Sequence, residues 1–379
     1  MKFRTIREIT AAALASILLL TGCLAGTGTE PESEWSRYRI SYMDTFDTIV
    51  QNVGYTRTGM EFDRYSEEMH ELLIYYNQLF DRYNSYEGIN NVKTINDNAG
   101  IEPVQVDEPL LDLLDQCIEW EEQSQGAVNV CMGPVLEIWH NYREQYIGTT
   151  EGKLPPMEQL EAAARHTDIR NLVIDREAGT VYLTDPEASL DLGAVAKGYA
   201  TERIAQQLYA DGFTSFAMSS GGNIRVMDAP ADGSKSAWVI GIQDPAAAME
   251  SGKYADSVIA NNISVVTSGD YQRYYMVDDV KVHHIVDGKT LMPANRFSSV
   301  TIVCEDSGLA DMLSTALFIL PMEEGRALAE QYGAQAMWID PAGTVTCTDG
   351  LIPMLKERGG ATSVPAEAQE QEQSASEKE

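Results

Sequence analysis

One amphipathic helix, predicted for residues 191–208, constrains the fold of this 379-residue chain more than any other segment. Ala196, Ala200, Ile204 and Leu208 recur every fourth residue, and this spacing places them on one face of a helix. A glycine shortly after the run can end the helix. The segment therefore predicts a helix with one buried face and a polar, glycine-containing start.

The start of this helix combines a carboxylate, Asp191, with two glycines, Gly193 and Gly198, and one lysine, Lys197. Helix N-termini bind anions because their first amides lack partners and their dipole end is positive. Glycine lets a phosphate approach the backbone, and Lys197 would add a charge. Taken alone, the segment favours a plain polar helix start with a solvated lysine. Taken together with the second segment, described in the next paragraph, a phosphate site becomes the better interpretation.

A second helix is predicted over residues 309–321, with Ser307 as its cap and Pro321 at its end. Asp311, Ser314 and Thr315 are spaced i, i+3 and i+4, so their oxygens share one face of this apolar helix. A cluster of oxygens with one carboxylate suits a hard cation such as Mg²⁺. The alternative is that Asp311 only complements the helix dipole. Beside a phosphate site, the metal interpretation is favoured.

The order of predicted elements indicates an α+β fold with mixed and antiparallel sheets and packed helices. Strands and helices do not alternate regularly, no GxGxxG follows a strand and no GxxxxGK[ST] occurs, so we exclude a doubly wound dinucleotide fold. The further predicted helices cover residues 62–83, 110–124 and 158–166. The predicted strands and hairpins cover residues 42–53, 171–183, 214–228, 236–245, 257–287 and 298–306.

The N-terminus has the pattern of an export signal. Lys2, Arg4 and Arg7 precede an apolar stretch, residues 9–20, that is too short for a comfortable membrane span. The sequence LTGC at residues 20–23 resembles the lipobox of bacterial lipoproteins, which predicts lipidation at Cys23 and an anchored protein on the extracytoplasmic face of the cell membrane. The alternative is an ordinary cleaved secretory signal. We predict a signal peptide (1–22), a tether (23–36), one domain (37–358) and a disordered acidic tail (359–379).

Charge and cysteine content exclude several classes of site. The formal net charge of −31 argues against nucleic-acid binding and against docking on anionic lipid through basic patches. The sequence has no CxxC motif and no histidine close to a cysteine, which argues against a zinc site. A disulfide between Cys117 and Cys131 stays open, because spacing alone cannot decide it.

Several segments, in order along residues 40–350, resemble the ApbE family of bacterial lipoproteins, the FAD:protein FMN transferases. The early elements are YMDTF (42–46) and GAVN (126–129) with GPVLEIW (133–139). The later elements are DLGAVAKGYA (191–200), SSGGN (219–223), TSGDY (267–271), HHIVD (283–287), SVTIV (299–303) and LADMLSTALF (309–318).

The resemblance implies a Mg²⁺-dependent enzyme that cleaves the pyrophosphate of FAD. FMN would pass to a Thr or Ser hydroxyl of an extracytoplasmic flavoprotein, and AMP would leave. His284 and Asp311 would be catalytic, with His284 assisting proton transfer, while metal and lysine neutralise charge on the phosphates. The metal ligands would be the Ala194 carbonyl, Asp311, Ser314 and Thr315. The residues that contact FAD would be Met43, Tyr83, Ala127, Val128, Asn129, Asp191, Lys197 and Val286.

The chain departs from the family pattern at three places. Asn129 stands where the family often has Asp, and residues 287–291 lack the usual Asp-Pro-x-Thr-Gly. Ser314 replaces a second carboxylate, so Mg²⁺ should bind more weakly without FAD. Two other functions stay open. One is an FAD pyrophosphatase that uses water as acceptor, and the other is a non-enzymatic flavin-binding lipoprotein.

Overall fold

The computed structural model describes residues 34–149, 151–247 and 253–365, and its architecture is α+β, which confirms the predicted fold class. The strands are β1 (Ser36–Thr45), β2 (Thr48–Thr56), β3 (Val104–Gln105), β4 (Leu172–Asp175), β5 (Thr180–Leu183), β6 (Phe216–Ser220), β7 (Asn223–Val226), β8 (Trp238–Gln243), β9 (Tyr254–Ala260), β10 (Ile263–Gly269), β11 (Tyr274–Val277), β12 (Val280–His283), β13 (Val286–Asp287), β14 (Met292–Pro293), β15 (Ser299–Cys304), β16 (Gln335–Ile339) and β17 (Val345–Cys347). The helices are α1 (Gly59–Phe80), α2 (Val92–Asp97), α3 (Glu108–Gln123), α4 (Gly133–Tyr146), α5 (Met157–Ala164), α6 (Ala196–Ala210), α7 (Ser307–Ile319), α8 (Met322–Gln331) and α9 (Lys356–Gly359).

An eight-stranded sheet forms the centre of the described chain, in the order β1-β2-β6-β7-β10-β15-β16-β17. Every strand pair in the described ranges is antiparallel, so the parallel pairs of a mixed sheet are absent from them. Side chains alternate across a strand, and neighbouring residues therefore enter different cores. In β10, Val265 packs into one hydrophobic cluster and Val266 into another, and Met337 and Trp338 of β16 divide in the same way.

The larger cluster holds the helices that carry the predicted site. Helices α1, α6 and α7 pack on this face, and α7 also contacts β10 and β15. The apolar stripe of α6, from Ala200 through Ile204 to Leu208, is buried as predicted. A third cluster joins α4 and α5 to the ribbons β11–β12 and β13–β14, where Trp139 donates to the Leu291 carbonyl at 3.0 Å.

Three local predictions need correction. Residues 42–53 form parts of two strands, β1 and β2, because Phe46 and Asp47 adopt left-handed φ values of 54° and 49° without a glycine to indicate the turn. Residues 214–228 likewise form the hairpin β6–β7, turning at two glycines with positive φ. Asp306, and not Ser307, caps α7 by accepting the Leu309 N–H at 2.8 Å.

The C-terminal part of the described chain is fastened to the second face of the sheet. Leu351 and Leu355 are fully buried in the smaller cluster, beside β8 and β9. The buried Asp256 carboxylate accepts the backbone N–H groups of Glu357 (2.9 Å) and Arg358 (3.2 Å), and it pairs with the Arg358 guanidinium at 2.8 Å. Burial raises the pKa of Asp256, but these hydrogen bonds outweigh burial and hold this pKa below its usual range. Residue 358, the predicted end of the domain, lies within α9.

Several predictions concern segments that lie wholly or partly outside the description. Residues 1–33, with Cys23 and most of the tether, and residues 366–379 of the tail are not described. Within the described ranges, no helix is long and apolar enough to cross a membrane. Cys117, Cys131, Cys304 and Cys347 are free thiols, so the Cys117–Cys131 bond that the sequence left open is not formed.

Candidate active site

The site is built where α6 and α7 cross at Gly198. The Gly198 N–H donates to Oδ2 of Asp311 at 2.8 Å, and this carboxylate is only 4% exposed. A Cβ on residue 198 would lie 2.4 Å from the Asp311 Cβ and 2.4 Å from the Ser307 carbonyl oxygen. Glycine is therefore required here by close approach of the two helices. The crossing brings together the two segments that the sequence analysis singled out.

Asp311 is a buried carboxylate whose surroundings offset the effect of burial only in part, so that its pKa is raised. Burial raises the pKa of Asp311, whereas the charge of Lys197, the Gly198 N–H and the Asn223 side chain act in the opposite direction. Lys197 is partly exposed and forms no salt bridge or hydrogen bond within the described ranges. Its ammonium group is thus available to an anion beside Asp311.

The remaining predicted metal ligands present oxygens with spare acceptor capacity. The i−4 partner of Gly198 in a helix would be the Ala194 carbonyl, but the Gly198 N–H goes to Asp311 instead, and no described group donates to that carbonyl. Ser314 Oγ donates to the Asp311 carbonyl at 2.9 Å and lies 2.8 Å from Ser268 Oγ, which leaves one lone pair. The Thr315 hydroxyl has no hydrogen-bond partner among the described residues.

This donor set fits Mg²⁺, which takes few protein ligands, prefers oxygen and keeps water or phosphate in its other positions. The set consists of the Asp311 carboxylate and two hydroxyls on α7, together with one free carbonyl, that of Ala194, just before α6. In the described chain, no group of three or more His, Cys, Asp or Glu side chains could hold a metal. Carbonyl and hydroxyl oxygens supply most of the proposed set, with Asp311 as its single carboxylate.

Asp191 is neutralised by an arginine that the sequence analysis did not select. Arg82 Nη1 lies 2.6 Å from Asp191 Oδ2, and the other carboxylate oxygen accepts the Gly193 N–H at 2.8 Å. The Arg82 side chain is 10% exposed and also approaches Glu137 at 3.4 Å. Its position next to Tyr83 in the sequence was the only available signal. Arg82 and Lys197 add cations to a predicted phosphate site in a strongly acidic protein.

The two adjacent histidines have different environments. His283 is buried in β12 with Nε2 at 2.6 Å from the Ala294 carbonyl oxygen. His284 is half-buried, its Nδ1 is fully buried without a partner in the described chain, and burial and the nearby Arg273 charge lower its pKa to about 3. Lys197 acts on the pKa values of both His284 and Asp311, which indicates that all three face one region. His284 is therefore neutral near pH 7, and its Nδ1 has no hydrogen-bond partner in the described chain.

The other residues predicted to contact FAD differ in accessibility. Met43 and Tyr83 are 64% and 57% exposed, and Tyr83 lies beside the Arg82 guanidinium. Asn129 is engaged inside the chain, because its Oδ1 accepts the Cys131 N–H and its Nδ2 donates to the Thr167 carbonyl, both at 2.8 Å. The remaining three, Ala127, Val128 and Val286, are buried, and Ala127 borders a cavity of about 150 Å³ together with Asp287 and Arg296.

Comparison with known proteins identifies the same family from sequence and from structure. The model of the ApbE family matches residues 37–338. A FAD:protein FMN transferase of Treponema pallidum is 33% identical over 275 residues, which are 69% of this chain and 74% of the relative. A protein of the same description from Vibrio cholerae is 29% identical and covers 84% of this chain and 89% of its own length.

Two solved structures have the same fold. The ApbE protein of Thermotoga maritima has a TM-score of 0.72 and 28% identity, and it covers 84% of this chain and 99% of its own. A mutant of the flavin transferase ApbE from Vibrio cholerae has a TM-score of 0.70 and 25% identity, with the same two coverages. The resemblance drawn from the sequence motifs is thereby confirmed, and the chain belongs to the ApbE family.

Proposed function

We propose that this protein is a FAD:protein FMN transferase that uses Mg²⁺ and forms a phosphoester on a Thr or Ser hydroxyl of another protein. The observation that carries the proposal is the α6–α7 crossing, which sets the buried Asp311 carboxylate beside the unpaired Lys197 ammonium. The description of the relatives as FAD:protein FMN transferases supports the same reaction. A flavin-binding protein without chemistry would not need a buried carboxylate at this place.

The metal would be held by Asp311, the Ala194 carbonyl, Ser314 and Thr315. Bound there, Mg²⁺ would neutralise negative charge on the pyrophosphate oxygens of FAD as the transfer proceeds. Lys197 would bind a phosphate oxygen from the start of α6. Arg82 would keep the Asp191 carboxylate neutralised, so that this acid does not repel the substrate phosphates.

His284 would serve the acceptor side of the reaction. The acceptor hydroxyl loses its proton as its oxygen bonds to the FMN phosphorus, and the bond from this phosphorus to the bridging oxygen breaks to release AMP. The His284 imidazole, which is neutral near pH 7, would accept a hydrogen bond from that hydroxyl and so assist the proton transfer. Transfer to water would use the same groups and yield free FMN.

The test is incubation of the protein with FAD, Mg²⁺ and a candidate acceptor, followed by the intact mass of the acceptor. We expect the acceptor to gain the mass of one FMN less one water, and an equimolar amount of AMP to be released. Asp311→Asn should abolish both, whereas Asp349→Asn, which alters an exposed carboxylate outside the site, should not. AMP and FMN without a modified acceptor would support the pyrophosphatase instead. Full activity of Asp311→Asn would contradict the metal site.

We also propose that Cys23 carries a lipid anchor on the extracytoplasmic face of the cell membrane. The LTGC sequence after a basic and then apolar N-terminus supports this proposal. Cys23→Ala should move the protein out of the membrane fraction or leave it unprocessed. Wild-type partitioning of this variant would refute lipidation.

A further inference from the structure

Helices α6 and α7 are joined by a second polar contact, one turn away from the contact at Gly198. Glu202 lies four residues after Gly198 on α6, and Ser307 lies four residues before Asp311 on α7. The Ser307 N–H donates to Glu202 Oε2 at 2.8 Å. Four residues of a helix span about 6 Å, so two short hydrogen bonds at this separation fix the axial position of α7 against α6.

Glu202 is itself held by a buried cation from the central sheet. Arg225 Nε, on β7, lies 3.0 Å from Glu202 Oε2, and the two side chains are 5% and 10% exposed. Arg225 also donates to the Val226 carbonyl at 3.1 Å. The guanidinium thus compensates the Glu202 carboxylate, and an acidic side chain suits the N-terminus of α7. The sheet, α6 and α7 thus meet at one carboxylate.

We propose that Glu202, held by Arg225, is a positioning residue that sets α7 so that Asp311 and Thr315 face Ala194 and Lys197. The inference rests on the proposed metal site and extends it. Ser268 of β10 fixes Ser314 from the sheet side, but Glu202 makes the contact that ties the start of α7 to α6. Glu202 has no part in binding metal or substrate and acts only through the placement of Asp311.

Two double variants separate positioning from general stability. Glu202→Leu with Arg225→Met removes both charges and the acceptor for the Ser307 N–H, and replacement of a buried ion pair by apolar residues of similar volume is commonly neutral or stabilising. Glu202→Gln with Arg225→Met also removes the charges but keeps an amide oxygen for the Ser307 N–H. We expect the Leu/Met variant to fold and to bind metal at least tenfold more weakly, and the Gln/Met variant to regain wild-type affinity.

Mn²⁺ replaces Mg²⁺ in the binding measurement, and the electron paramagnetic resonance signal of free Mn²⁺ reports how much is unbound. All titrations use one fixed FAD concentration, and a titration of FAD without protein corrects for Mn²⁺ that FAD itself binds. Crystal structures supply a second readout, the distance from Gly198 N to Asp311 Oδ2, which should exceed 3.5 Å in the Leu/Met variant only. Arg358→Met removes the cation that pairs with the buried Asp256 carboxylate elsewhere, and it controls for loss of stability alone. Gln206→Ala controls for the other hydrogen bond to Glu202.

The outcomes distinguish this inference from the proposed function. If the Leu/Met variant binds Mn²⁺ as tightly as the wild type, or keeps the 2.8 Å distance, Glu202 is not a positioning residue, and the metal site stands. If Arg358→Met weakens Mn²⁺ binding as much as the Leu/Met variant does, the effect is one of stability and the inference is wrong. If the wild type itself binds no Mn²⁺, both the proposed metal site and the role of Glu202 are refuted.

Discussion

Gly198→Ala should damage the site by separating α6 from α7. The added Cβ would lie 2.4 Å from two atoms of α7, and ordinary contact begins at 3.4 Å, so the helices must move apart by about 1 Å. The hydrogen bond from Gly198 to Asp311 would then lengthen from 2.8 Å to about 3.8 Å and be lost. Overpacking costs about 1–3 kcal/mol, a hydrogen bond to a charged group contributes about 1.5–3 kcal/mol, and alanine regains about 1 kcal/mol of helix propensity. The expected loss of unfolding free energy is about 1.5–5 kcal/mol.

Urea unfolding measures this loss, and Mn²⁺ titration measures its effect on the metal site, which should be weakened in the folded fraction. Gly59→Ala is the matched control, because a Cβ on this helical glycine would meet only Tyr38 at an ordinary 3.6 Å. Its stability should stay within about 1 kcal/mol of the wild type. If Gly198→Ala unfolds and binds Mn²⁺ as the control does, the close crossing does not support the site.

Three further predictions follow from the charges around the site. Lys197→Met should raise the dissociation constant of FAD at least tenfold, because a contact of about 1.5–3 kcal/mol is lost, and should leave riboflavin binding unchanged. Fluorescence of the five tryptophans measures both affinities. An equal loss of affinity for FAD and for riboflavin would show that Lys197 does not bind a phosphate. Arg82→Met should weaken FAD binding because it leaves the Asp191 carboxylate without its cation. The double variant Arg82→Met with Asp191→Asn should recover part of the FAD affinity. If the two substitutions instead lower the FAD affinity additively, Arg82 does not act by compensating Asp191. The pKa values of His283 and His284 are lowered, so the unfolded state binds more protons below about pH 6.5, and stability should be full above that pH and fall below it. His284→Asn should reduce that slope by at most about 1.4 kcal/mol per pH unit in urea unfolding, and an unchanged slope would contradict burial of the neutral ring.

The sequence was most informative where periodicity and burial coincide. The stripe Ala196, Ala200, Ile204 and Leu208 predicted a buried helix face, and the same four residues are buried in α6. The turn at Phe46 and Asp47 could not be predicted from the sequence. No glycine flanks either residue, and the alternation of β1 continues into β2. The Phe46 N–H donates to Asn77 Oδ1 at 2.7 Å, and this contact ties the turn to α1.

The candidate site was predictable in its local motifs but not in its long-range partners. The i, i+3, i+4 spacing on α7 placed Asp311, Ser314 and Thr315 on one face from the sequence alone. Arg82 lies 109 positions from its partner Asp191, and no periodic pattern relates two such residues. The Glu202 carboxylate was part of the predicted helix, yet its burial becomes intelligible only once a strand supplies a cation.

The contacts between α9 and Asp256 affect how the protein folds during its synthesis. The bonds that close the smaller hydrophobic cluster join residues 101 and 102 positions apart, and Leu355 reaches that cluster from the same late segment. Contacts across such separations form slowly, since a long loop must close first. During translation, the smaller cluster therefore lacks Leu351 and Leu355 until nearly all of the described chain has been made. A growing chain that halts before these two leucines would expose the apolar surface that they cover, which is the kind of surface that chaperones bind and that aggregates grow from.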